Sequence, residues 1–286
     1  MNTNPLISVV IPTFNESERV VRAVQSMQEQ TYKNLEILVI DDWSTDNTRE
    51  VVQALAATDP RVHYIQLPEK PAQRKNWRGY DINAGFSARN YGFKIAKGEW
   101  ISTQDADDAS LANRIELQYR LATQHKATLV TIQWQQLTTD RLGKIFDYTA
   151  YLKDNPSGVP FYKPEELARI AHEAKGVLMI EPIHRFIPFP IKWFPPTRTL
   201  FYRKTDPYPG ADNCMFFHKK VRDDGVYFRH RNERTWGSPS GRGSGRDFVY
   251  RVAALYKNSW SFKIPLYLWD VKLSNSEYES LNHYIR

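Results

Sequence analysis

Leu6-Ile7-Ser8-Val9-Val10-Ile11 is an apolar, β-branched run that ends at Pro12. A continuous run of this length reads as a strand buried on both faces, which calls for a sheet with a layer on either side. Behind it Val20, Ala23, Val24 and Met27 recur at helical spacing, with Asn15 or Ser17 placed to cap that helix. The same alternation continues down the chain. Residues 35–40 make a second buried strand, and Thr48, Val51, Val52 and Leu55 mark a second helix. Residues 61–67 read as a third strand. After a polar stretch over residues 68–81, Ala84, Ala88, Tyr91 and Ile95 share one helical face, and residues 99–104 form a fourth strand. Strand and helix in turn predict an α/β protein with a Rossmann-like, mostly parallel central sheet flanked by helices.

Ligands of such sheets bind beyond the carboxyl ends of the strands. Three polar clusters stand at those ends, in residues 12–16, 41–46 and 105–108. The last, Asp105-Ala106-Asp107-Asp108, is the most acidic. Like charges crowded at a partly buried strand end repel, so such a cluster usually persists with a cation to neutralise it. Oxygen-only ligands favour Mg²⁺ or Mn²⁺ with substrate phosphates completing the shell. The other reading is a polar turn in which Asp108 or Ser110 caps the following helix.

A hydrophobic content of 41% with 25% charged residues is ordinary for a globular protein with a sizeable core. No stretch reaches the ~18–20 consecutive apolar residues of a membrane span, and no leader pattern opens the chain. The expected location is therefore the cytoplasm. The one cysteine, Cys214, excludes an intrachain disulfide and a cysteine-based metal cage, and its apolar neighbours predict a packed thiol. A net charge of +7 favours anionic partners. No nucleic-acid recognition motif accompanies that charge, and nucleic acid is not an expected partner.

The later part of the chain is less regular. A helix over residues 113–125, a strand bearing Val130, Ile132 and Trp134, and a helix opened by Pro164-Glu165-Glu166-Leu167 are expected. The proline-dense residues 182–209 read as an extended loop or short edge strands. Residues 214–220 suggest a strand, residues 237–245 a Gly/Ser loop, and Phe248, Val252 and Leu255 a final helix. Cations and aromatics interleave from His184 to Phe194. They suit a lipid-linked phosphate acceptor or an anionic membrane leaflet, or a packed layer with its charges in water. His184 has no evident carboxylate partner nearby in sequence.

Several segments, in order and at matching spacing over roughly the first 110 residues, resemble family-two glycosyltransferases of the GT-A fold. They are Ser8-Val9-Val10-Ile11-Pro12-Thr13-Phe14-Asn15-Glu16, Ile40-Asp41-Asp42-Trp43-Ser44-Thr45-Asp46-Asn47-Thr48, Ser87-Ala88-Arg89-Asn90-Tyr91-Gly92, Lys97-Gly98-Glu99-Trp100-Ile101 and Asp105-Ala106-Asp107-Asp108. The resemblance implies an inverting, nucleotide-sugar-dependent transferase of bacterial surface polysaccharide synthesis. Residues 1–110 would be the nucleotide-sugar-binding half, and residues 111–286 the acceptor-binding half of the same domain with a C-terminal extension. Thr13, Phe14, Asn15 and Glu16 would wrap the nucleobase and ribose, Asp42 would accept from the base, and Arg89 would lie near base and diphosphate. Asp105 would touch ribose or metal, and Asp107 would ligate a divalent Mn²⁺ or Mg²⁺. Trp43 stands where relatives carry a small turn residue, which is awkward if that turn needs positive φ.

Inversion also needs a base for the acceptor hydroxyl. The resemblance assigns that role to Asp247 in Gly245-Arg246-Asp247-Phe248, with Asp223, Asp224 and Glu233 in reserve; a helix cap is the other reading of Asp247. The Gly/Ser loop before it would be a lid, with Arg242 and Arg246 reaching the diphosphate. The expected partners are a nucleotide-diphosphate sugar and a glycan or lipid-linked acceptor, with room for peripheral contact with the inner face of the cell membrane. Rival readings are a non-catalytic nucleotide-sugar-binding protein and a nucleotidyltransferase. The latter would carry a glycine-rich loop after the first strand, and residues 12–16 contain no glycine.

Overall fold

A computed structural model describes residues 4–71, 85–155, 160–203, 214–236 and 243–271. Its first part contains β1 (Ile7–Thr13), α1 (Val20–Gln28), β2 (Leu35–Asp41), α2 (Thr48–Thr58), β3 (Val62–Gln66), α3 (Phe86–Ile95) and β4 (Trp100–Thr103). These follow the expected order. Every residue of β1 and β2 is buried. Alternate side chains of β1 serve opposite faces: Val9 and Ile11 pack with Val24 and Met27 of α1, whereas Val10 packs with Ala88 and Phe93 of α3. Strands β3, β2, β1 and β4 are parallel neighbours in that order.

Two local expectations need correction. Strand β1 does not stop at Pro12. Val10 O accepts from Gln104 N on the β4 side, and Pro12 faces that same side, where the β1–β4 register has already ended. Its missing N–H therefore costs no ladder bond. Helix α1 starts at Val20 and neither Asn15 nor Ser17 caps it; both are bonded to the neighbouring loop.

The rest of the chain adds β5 (Ala109–Ser110), α4 (Arg114–Gln124), β6 (Leu129–Gln136), α5 (Tyr148–Asp154), β7 (Pro160–Tyr162), α6 (Pro164–Ala174), α7 (Phe189–Trp193), α8 (Arg198–Phe201), β8 (Met215–His218), α9 (Lys220–Asp223), α10 (Ser244–Tyr256) and β9 (Ser259–Trp269). Strand β8 is wedged antiparallel between β4 and β6, and β9 runs parallel to β6. One sheet thus spans both parts of the chain. Beneath it, Phe93, Phe217, Phe228 and Phe248 form a ring cluster with centroids 5.0–6.0 Å apart, which fastens α3 and α10 to the sheet.

The proline-dense region is neither an extended loop nor a set of edge strands over its described part. Residues 183–186 form a 3₁₀ turn and α7 and α8 follow, with Pro188 at the N-cap of α7 and Pro190 in its first turn, where no N–H is required. A bridge from Lys175 to Tyr202 and a bond from Leu178 N to Leu200 O fold this stretch back on itself as a clasp. Residues 204–209, the Gly/Ser loop at 237–242 with Arg242, and the expected extension beyond 271 lie outside the described residues.

Candidate functional site

The loops after β1 and β2 are stitched together by their own polar groups. Asn15 adopts φ 54°, and its Oδ1 accepts from Thr45 N at 2.7 Å while its N–H donates to Ser44 Oγ at 2.9 Å. Ser17 N donates to Asp46 Oδ2 at 3.0 Å, and Glu16 N to Thr48 Oγ1 at 3.2 Å. The adjacent aspartates divide their work. Asp41 shapes its own loop, accepting from Ser44 N at 2.9 Å and from Tyr64 Oη at 2.6 Å. Asp42 sits one residue further on, buried, with its N–H on Thr13 O. Thr13 is buried as well, and its Oγ1 has no hydrogen-bond partner among the described residues. A buried hydroxyl of that kind is costly unless water or a ligand completes it.

Trp43 has φ 62°, so this turn does need the left-handed conformation, and tryptophan adopts it. Its ring packs against the apolar layer containing Val10, Leu38 and Ile40, which offsets the backbone cost.

The acidic loop joins the same rim through two arginines. Arg89, from the first turn of α3, pairs with Asp105; Arg19, just before α1, lies 3.7 Å from Asp107. Carboxylate oxygens of Asp105, Asp107 and Asp108 all fall within 4.8 Å of one another. Burial, and then the charge of its neighbours, raises the carboxyls of Asp107 and Asp108, the latter to about 8. The three are not equivalent. Asp108 is buried and each of its oxygens is engaged, Oδ2 accepting from Tyr267 Oη at 2.7 Å and Oδ1 from Asp270 N at 2.8 Å. The Asp107 side chain is 42% exposed and that of Asp105 26%, so these two are open to solvent. Their hard oxygen donors, crowded and short of positive charge, fit a divalent cation.

Sequence reading missed what holds this loop. Tyr267 of β9 accepts from Asp105 N at 3.1 Å while donating to Asp108. Arg22 binds Asp107 O and lies 2.6 Å from Asp270 Oδ2. Arg114 is fully buried beneath, donating to Gln104 Oε1 and Thr103 O. Nothing in the sequence neighbours of Tyr267 announces the contact.

Asp247 lies in the first turn of α10 and is 1% exposed. It does not cap the helix. Its Oδ1 accepts from Thr235 N and Arg229 Nη2, both at 2.7 Å, and from Trp236 N at 3.2 Å; Oδ2 accepts from Arg229 Nε at 2.9 Å. Arg229 also reaches Glu181 Oε1 at 2.6 Å. Glu181 lies 3.2 Å from His184 Nε2 and 2.9 Å from Arg185, so His184 does have a carboxylate partner, three residues back. Burial alone would raise the Glu181 carboxyl, but Arg229 and His184 outweigh it and hold it at about 2. Phe228, next to Arg229, lies under the Arg89 guanidinium at 5.9 Å and holds Asn90 through two backbone bonds. Asp247 is thereby tied to the rim through Arg229 and Phe228. Asp223 is not: Arg222 fastens it beside Ala96, at the opposite end of α3 from Arg89. Asp224 accepts from Tyr256 Oη at the far end of α10, and Glu233 caps its own turn at His230 N.

The model of the family described as glycosyl transferase family 2 matches residues 8–79 and 81–173, more than half of the chain. The chain belongs to glycosyltransferase family 2. Among curated relatives, glycosyltransferase GlyG of Streptococcus pneumoniae is 35% identical over 125 residues, covering 44% of this chain and 38% of that one. A putative colanic acid biosynthesis glycosyl transferase, WcaA of Escherichia coli, is 36% identical over 132 residues, 46% of this chain and 41% of its own. The chain thus spans about two fifths of the length of these relatives. Among solved structures, S. aureus TarS 1–349 in complex with UDP-GlcNAc superposes with a TM-score of 0.54 at 14% identity, covering 94% of this chain and 59% of that one. The mannosyltransferase PcManGT of Pyrobaculum calidifontis, in complex with GDP-Man and Mn²⁺, gives 0.53 at 16% identity, with 99% and 61% covered. At such identities the likeness establishes the fold, which is of the GT-A type. No helix among the described residues of this family-two chain is long and apolar enough to cross a membrane.

Proposed function

We propose that this family-two chain transfers a sugar, with inversion, from a nucleotide-diphosphate donor to a glycan or lipid-linked acceptor of bacterial surface polysaccharide synthesis. The observation that supports the reading is the meeting of three strand-end loops at one rim: the loops after β1 and β2 are hydrogen-bonded to each other, and the acidic loop joins them through Arg89 on Asp105 and Arg19 near Asp107. Thr13, Phe14, Asn15 and Glu16 hold the nucleoside end, and Asp42 accepts from the base. Arg89 lies near base and diphosphate. Asp105 and Asp107 would hold Mn²⁺ or Mg²⁺, which when bound would supply positive charge against the diphosphate. A relative from Campylobacter jejuni, GalNAc(5)-diNAcBac-PP-undecaprenol beta-1,3-glucosyltransferase, 36% identical over 111 residues, supports the lipid-linked choice.

Asp247 takes the proton of the attacking hydroxyl. Among the described residues its Oδ2 accepts only from Arg229 Nε, which leaves a second lone pair on that oxygen. Two measurements test these roles. Thermal shift with UDP, GDP and dTDP, with and without Mn²⁺, should reveal one stabilising nucleotide, because a ligand specific to the folded state raises its stability by mass action. Asp107→Asn should abolish the Mn²⁺-dependent part of that shift; a full shift in the variant removes Asp107 from the metal site. Asp247→Asn should lower transfer by about 100-fold or more with donor binding intact. Loss of donor binding and of fold together would make Asp247 an anchor only.

A further inference from the structure

Large apolar side chains are exposed in one short segment far out of proportion to its length. Of the eleven exposed among the described residues, eight lie between Val177 and Leu200. They include Ile183 at 61%, Phe186 at 85%, Ile191 at 51% and Phe194 at 58%. The segment is two-sided. Met179, His184, Lys192, Phe201 and Tyr202 point inward and are buried, so the clasp is anchored and its apolar outer side is a property of the folded chain. The Leu178 to Leu200 bond and the turn from His184 N to Ile180 O keep these outer residues within a few turns of each other.

Charge decides what such a surface meets. Arg185, Arg198 and Arg203 are exposed among the apolar side chains. The only acid between Lys175 and Arg203 is Glu181, and it is engaged by Arg229, His184 and Arg185. Two copies of the chain meeting through this surface would bring like charges together, which a self-complementary interface avoids. An anionic bilayer suits both components. Apolar side chains enter the acyl boundary while arginines stay at the phosphates.

We infer that the clasp over residues 177–203 is the membrane-docking surface of this protein, seating it on an anionic leaflet with Ile183, Phe186, Ile191 and Phe194 inserted. This deepens the reading of a lipid-linked acceptor, and it is tested without donor or acceptor, so the two stand or fall separately. In flotation assays the purified chain should bind phosphatidylglycerol/phosphatidylcholine vesicles, bind pure phosphatidylcholine far less, and release as salt is raised. The double variant Ile183→Asp, Phe186→Asp should bind about tenfold or more weakly, the scale expected for losing burial of even one large apolar side chain. Ile145→Asp, 65% exposed and outside the clasp, should bind as the parent does. An unchanged thermal midpoint in each variant certifies the fold, since all three side chains are exposed. No vesicle binding by the parent, or equal binding by the double variant, overturns the inference. So does a parent that ignores vesicles but self-associates through these residues.

Discussion

At the scale of single residues, the acidic loop shows how two neighbours of identical chemistry acquire different tasks. Asp108 is held by Tyr267 and by the Asp270 backbone, and that restraint presents Asp107 and Asp105 outward. Tyr267→Phe keeps the ring and removes the hydroxyl that joins Asp108 to the Asp105 N–H. The expected cost is about 1–3 kcal/mol of unfolding free energy, the scale of a buried polar group left without its partner. The Mn²⁺-dependent thermal shift should weaken at the same time; both are read from one melting series, and an unchanged metal response would detach Tyr267 from the site. The pair at the end of β2 follows the same rule, with Asp41 bound to Ser44 and Tyr64. Identity and order of the acids were plain in the sequence. Which acid is the brace and which faces outward was not, because Tyr267 lies 159 residues from Asp108.

Among secondary-structure elements, α3 carries the most site geometry in the fewest residues. Its first turn holds Arg89, and Gly92 one turn later lets the helix lie against β1 and β2. A Cβ at Gly92 would stand 2.4 Å from Val10 Cγ1 and 3.1 Å from Ile40 Cγ1. Gly92→Ala should destabilise the protein by about 1–3 kcal/mol through overpacking and move Arg89 off the rim. Denaturant titration and donor affinity check the two halves of that statement, and a neutral Gly92→Ala would mean that α3 shifts freely. Elements of this kind were legible, since apolar runs and helical periodicity placed all four leading strands and their helices. The clasp was not. Its prolines argued against regular structure, whereas their positions at helix starts make them compatible with short helices, and the inward His184 and Lys192 broke any apolar periodicity.

For the molecule as a whole, Glu181 and Arg229 link the clasp to α10. The unperturbed carboxyl titrates at 4.5 and that of Glu181 in the fold at about 2. A depressed carboxyl contributes stability that is complete above about 4.5 and fades as pH falls toward about 2. Glu181→Gln should therefore unfold at lower urea than the parent at pH 7, with the difference shrinking at pH 3. A constant difference would mean that shape, not charge, holds the clasp. The sheet carries a different consequence. Strand β4 has one edge covered by β1, but its other edge is covered by β8, with Trp100 opposite His218. While the chain is being synthesised, strands β1 to β4 can assemble long before residue 215 emerges, and until then the outer edge of β4 is an open template for another chain. Recombinant yield of this protein should therefore depend on how quickly translation proceeds from β4 to β8, and a fragment ending shortly after Asp108 should aggregate through that edge.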